Sequence, residues 1–114
     1  MSGGVEFRPE AEREIEAAFA WYEEQRTGLG MRFVDALHAA TRTISELPEG
    51  APRIGRRTRR MPLHRFPWFV LYVVEADCVL VTACFHTSRS PEAWWDRVCE
   101  CLPVYFSRPH RQAA

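Results

Sequence analysis

Two strongly apolar runs joined by a short polar break constrain this chain more than anything else in it. The first is Phe66-Pro67-Trp68-Phe69-Val70-Leu71-Tyr72-Val73-Val74. The second is Cys78-Val79-Leu80-Val81-Thr82-Ala83-Cys84-Phe85-His86, with Glu75-Ala76-Asp77 between them. Both are rich in β-branched and aromatic residues, and both fall far short of the ~20 apolar residues that a membrane-spanning helix needs. Continuous apolar runs of this length, bounded by polar residues, predict strands buried on both faces, here a central antiparallel hairpin. The second run ends in His86 with Arg89 just beyond, so functional chemistry is expected at that end.

The segments before the hairpin supply its cover. Val5-Glu6-Phe7-Arg8 alternates apolar and polar, as a short half-buried strand does. Pro9 suits a first helical position, and Glu10, Glu12 and Glu14 favour the positive end of a helix. Arg8 is a poor N-cap, so this start needs tertiary support. Ala11, Ile15, Ala18, Phe19 and Tyr22 then draw one apolar stripe along a helix from Pro9 to Arg26. Trp21 falls beside that stripe and is a candidate contact for a partner. Gly28 is expected to take a left-handed conformation closing this helix. A second helix follows from Leu29 to Leu47, with Leu29, Phe33, Leu37, Ala40, Ile44 and Leu47 on one face.

A further strand is expected around Thr58–Leu63, at an edge or irregular because Pro62 removes a ladder donor. On the last strand, Val79, Val81, Ala83 and Phe85 form the better helix-packing face. Cys78, Leu80, Thr82, Cys84 and His86 form the opposite, open face. Ser90-Pro91-Glu92 starts a final short helix carrying Trp94, Trp95, Val98, Cys101 and Leu102. The order β-α-α-β-β-β plus a short C-terminal helix is α+β, a helical hairpin on an antiparallel sheet. With 114 residues, one domain over 1–114 is expected, its core about residues 5–102 and a C-terminal tail over 103–114.

Charge is segregated along the chain. All 15 basic residues are arginine; residues 1–50 carry ten acids and five arginines, residues 51–114 the reverse. The densest basic run is Arg53, Arg56, Arg57, Arg59, Arg60 and Arg65, with His64 inside it. One basic segment in a neutral chain points to a local anionic partner surface, not to bulk coating of nucleic acid. Cys78, Cys84, Cys99 and Cys101 form no CxxC pair, and reduced, partly buried thiols are expected. Met1-Ser2-Gly3-Gly4 does not open a signal peptide, so a cytoplasmic protein with no membrane association is expected.

Several short motifs in order carry a resemblance: Phe7-x-Pro9-x-Ala11, Trp21-Tyr22-x-x-Gln25, Gly28-Leu29-Gly30-x-x-Phe33, Ile44, Pro48, Arg59, Phe66-Pro67-Trp68-x-x-x-Tyr72 and His86-x-x-Arg89-x-Pro91-x-x-Trp94. Over residues 5 to 97 the chain resembles the RelE/ParE superfamily of bacterial type II toxins, closest to its ParE-like, plasmid-stabilisation branch. It departs from the usual pattern at Trp68, where tyrosine is common, and in continuing past Arg97. The resemblance implies a cytoplasmic toxin with no cofactor or metal that inhibits growth and is neutralised by a cognate antitoxin. ParE-like members poison DNA gyrase and are not nucleases; RelE-like members cleave ribosome-bound mRNA without a metal. A non-toxic antitoxin-binding module is a third class.

Metal-free RNA cleavage needs a base, an acid and cations around the phosphate. His86 is the candidate for proton transfer, Arg59, Arg65 and Arg89 for holding phosphate, and Tyr72 is a more distant candidate. The bland alternative is that His86 caps a strand end and Arg89 pairs with an acid such as Asp96. As contacts for a target or antitoxin, the candidates are Trp21, Arg59, Arg65, Trp68, His86 and Arg89.

Overall fold

A computed structural model describes residues 4–99; the expectations for Cys101, Leu102 and the 103–114 tail lie outside the described residues. The elements run β1 (Gly4–Phe7), α1 (Pro9–Gln25), α2 (Leu29–Glu46), β2 (Thr58–Pro62), β3 (Trp68–Val74), β4 (Cys78–His86) and α3 (Pro91–Cys99). The element order is the expected one, with boundaries within about two residues; the expected end of α3 lies outside the described residues. The sheet order is β1-β4-β3-β2. Strands β2, β3 and β4 are antiparallel neighbours, whereas β1 joins β4 in parallel. That parallel pairing follows from geometry: an antiparallel helical hairpin separates β1 from the rest, and β1 returns to the far edge of the sheet.

The α1–α2 hairpin rests on a turn with two unusual devices. Gly28 has φ 91°, the left-handed conformation expected of it, but it opens α2; α1 ends at Arg26 in extended backbone. With no side-chain cap of its own, α2 borrows one from α1. The Glu23 carboxylate accepts the N–H of Gly28 at 2.8 Å and of Gly30 at 2.9 Å. An anion there suits the positive end of the helix. Gly30 is what permits the approach, since a Cβ at that position would sit 2.6 Å from Glu23 Oε1 and 2.8 Å from the Phe19 ring. The weak start of α1 finds its expected support in the sheet: the Arg8 N–H donates to the Val81 carbonyl at 2.9 Å, with no side-chain cap.

The core has two parts, one on each face of the sheet. Ala11, Ala18, Tyr22, Phe33, Leu37 and Ile44 from the helices pack against Val70, Tyr72, Val79, Val81 and Cys84. Phe69, Leu71, Ala83 and Phe85 face the other way and are covered by Val98, Trp94 and Trp95 of α3. The central hairpin is thus buried on both faces, as its unbroken apolar runs require.

The expected face assignment of β4 fails halfway along. Val79 and Val81 meet the helices, but Ala83 and Phe85 do not; Cys84 and His86 take over the helix face. The cause is a bulge: Leu71 opposes Ala83 while Tyr72 opposes Val81, leaving Thr82 as the extra residue. One inserted residue exchanges the faces of everything beyond it. Strand β2 is an edge, as Pro62 requires, and part of that edge is covered by the loop before it, through the Arg53–Arg59 bridge and an Arg60 N–H to Pro52 O bond of 3.0 Å.

Candidate functional site

The bulge decides what His86 can do, because it turns the histidine onto the helix face beside Trp68. The two residues are paired across β3 and β4, and their rings meet edge-on with centroids 5.4 Å apart. The Trp68 indole N–H donates to the Tyr22 hydroxyl at 2.9 Å. Tyr22 stacks on Phe33 at 5.4 Å and meets Phe66 edge-on at 5.0 Å; Trp21 closes the outer end with its ring 5.1 Å from Tyr22. Edge-to-face contacts of this kind add roughly 0.5–1.5 kcal/mol each beyond the area they bury. The result is one connected aromatic wall running from Trp21 to His86.

Exposure grades along that wall. Tyr22 and Phe33 are buried, Phe66, Trp68 and His86 are half-buried, and Trp21 is 55% exposed. An exposed tryptophan backed by a rigid, half-exposed aromatic cluster is the composition of a protein-binding surface. The His86 ring is oriented by its own loop: Nδ1 accepts the Ser88 N–H at 3.0 Å, which puts the ring hydrogen on Nε2.

The other sequence candidates are dispersed. Tyr72 is fully buried and its hydroxyl donates to the Pro48 carbonyl at 2.7 Å; burial raises its pKa against the opposing pull of Arg59. The Arg59 guanidinium donates to the carbonyls of Glu49 at 3.1 Å and Ala51 at 2.6 Å, tying down the α2–β2 loop. Both sit four strand positions from the Trp68–His86 pair, about 13 Å along the sheet. Arg89 follows His86 in sequence but lies over the Phe85 ring, 5.2 Å from its centroid, on the α3 side. The expected partner Asp96 is outside what is described of the side chains. Arg65 lies in the turn beside Phe66 with φ 74°, a conformation that residues other than glycine seldom adopt. His86 and Trp68 are therefore brought together, Trp21 is linked to them through Tyr22, and Arg59, Tyr72 and Arg89 point elsewhere.

Two residues that the sequence does not single out hold this corner in shape. Past Val81 no strand among the described residues lies on the outer side of β4, since β1 ends at Phe7. Glu14 and Arg97 fill the gap. Glu14 Oε1 accepts the Cys84 N–H at 3.0 Å, Arg97 Nη1 donates to Thr82 O at 3.1 Å, and the two side chains pair with each other at 2.5 Å. The buried Cys84 thiol beside this carboxylate is pushed up to about 12, first by desolvation and then by the Glu14 charge. It is no nucleophile at neutral pH.

The family model for the ParE toxin of type II toxin–antitoxin systems, parDE, matches residues 5–91. Among solved structures, a chromosomal ParDE TA system from P. aeruginosa is similar in fold, with a TM-score of 0.68 and 13% identity. That likeness covers 76% of this chain and 98% of the other. No curated protein matches the sequence.

Proposed function

The chain belongs to the ParE toxin family of the RelE/ParE superfamily, and from that membership we propose that it inhibits growth by binding DNA gyrase through the Trp21–Trp68–His86 wall. A cognate antitoxin neutralises it, as the pairing in the solved ParDE system suggests by analogy. The observation that carries a binding mode over a cutting one is the dispersal of the catalytic candidates. Arg59 and the Tyr72 hydroxyl are engaged by backbone carbonyls, and Arg89 lies over Phe85 on the other face of the sheet. A nuclease needs a base, an acid and a phosphate clamp converging on one bond. The aromatic wall asks for less: a partner surface that can cover an exposed indole and a half-buried imidazole.

The test is supercoiling by purified gyrase in the presence of the protein. The wild type is expected to inhibit it, and Trp21→Ala and His86→Ala each to weaken inhibition by roughly tenfold or more, as truncation at the centre of an interface does. Trp21 is exposed enough for its variant to remain folded. Normal supercoiling under excess protein would remove gyrase as the target. Codon-dependent mRNA cleavage on ribosomes that disappears in His86→Ala would replace this reading with the endoribonuclease one. Expression without the neighbouring antitoxin gene should arrest growth, and coexpression should restore it; absence of arrest would leave a non-toxic binding module.

A further inference from the structure

We propose that the groove between α2 and the β2–β3 turn is a second docking surface, one that receives an acidic peptide segment anchored by a large apolar side chain. The groove encloses about 530 Å³. Its floor is apolar: Leu29, Ala36 and Ala39 from α2 and Phe66 from the turn. Those helix positions are seven and three residues apart, so they share one side of α2. The two alanines keep that side low enough for another backbone to approach. Phe66 is fixed from behind by edge-to-face contacts with Tyr22 at 5.0 Å and Phe33 at 5.6 Å. The floor is therefore preformed, which lowers the ordering cost of binding.

The rim sets the sign of the occupant. Arg32, Arg65 and His64 stand around the floor against a single carboxylate, Asp35. All four are exposed, and neither arginine is in an ion pair among the described residues. Two uncommitted guanidinium forks over an apolar floor match a carboxylate-bearing chain with an aliphatic or aromatic anchor. A phosphate backbone would meet the rim and leave the floor unused. An uncharged apolar segment would fill the floor and leave both guanidiniums without partners. The molecule also carries its own control. A smaller groove beside α1 and α2, floored by Phe7, Ile15, Val34 and Leu37, has Glu12 and Glu16 at its rim against a single His38. An acidic segment should be turned away there.

The experiment is nuclear magnetic resonance titration of the labelled full chain with a short synthetic glutamate–leucine amphipathic peptide, and separately with its lysine–leucine counterpart. The acidic peptide is expected to shift residues 29–39 and 64–66 and to bind about tenfold more tightly than the basic one, the advantage shrinking with salt. Arg32→Glu with Arg65→Glu, both exposed substitutions, should reverse the preference while the circular dichroism spectrum stays unchanged. The proposal is overturned if the peptides bind equally, if neither binds, or if the shifts lie at the α1 groove or along residues 53–60. Full displacement of the acidic peptide by inorganic phosphate would overturn it in favour of a phosphate ligand.

Discussion

Burial governs the chemistry of the two most hidden ionisable side chains, Cys84 and Tyr72. The Cys84 thiol moves from its ordinary 9.0 to about 12, and the Tyr72 hydroxyl is raised above 10.0. Both remain protonated in the folded protein at a pH where the unfolded chain ionises them. Above about pH 9 the unfolded state therefore binds fewer protons, and stability falls as pH rises toward 12. Unfolding free energies from denaturant titrations across this range should decline by on the order of 1 kcal/mol per pH unit. Cys84→Ala should flatten part of the decline, and an unchanged slope in that variant would sink the argument. Tyr72 also shows where residue-level reading stops. A tyrosine in an apolar strand looks available for chemistry, yet its hydroxyl is engaged by the carbonyl of Pro48, 24 residues away. A contact of that separation leaves no local pattern.

Element identities were legible in the sequence, because periodicity reports which face of a helix or strand is buried. The bulge in β4 was not. Val79, Val81, Ala83 and Phe85 alternate without interruption, and nothing marks Thr82 as the extra residue; its hydroxyl donating to Leu71 O at 3.4 Å is a tertiary fact. The same holds for Glu14 and Arg97, which are 83 positions apart; the sequence presents Glu14 only as a helix-start acid and does not single out Arg97. Together they join α1, β4 and α3. Glu14→Ala should cost about 2–3 kcal/mol, since it removes the carboxylate facing a largely buried guanidinium and the acceptor of the Cys84 N–H. Arg97→Ala should cost less in that variant than in the wild type, the remainder coming from its bond to Thr82 O. Urea denaturation of the four proteins in this cycle gives the coupling directly, and simple additivity would show that the pair does not act as a unit.

At the scale of the whole molecule, stability should be graded from the centre of the sheet outward. Strand β3 has a strand on each side and residues of both cores on its two faces; β1 is a four-residue edge and α3 is held by Val98, its tryptophans and Arg97. Amide hydrogen exchange should be slowest in β3 and the facing half of β4, close to the global unfolding free energy, and faster in β1 and α3. Equal protection across all four strands would contradict this layering. The parallel pairing of β1 has a further consequence, for the order in which the chain can fold. Gly4 lies opposite Cys78. Among the described strands β1 therefore has no partner until β4 has been synthesised. Closing so long a loop carries an entropic cost that local contacts do not repay, while the α1–α2 hairpin and the β3–β4 hairpin each close over short turns. On the ribosome the segment before β2 is then limited to its helices, and the aromatic wall, which needs Trp68 and His86, can be assembled only after both β3 and β4 have been synthesised.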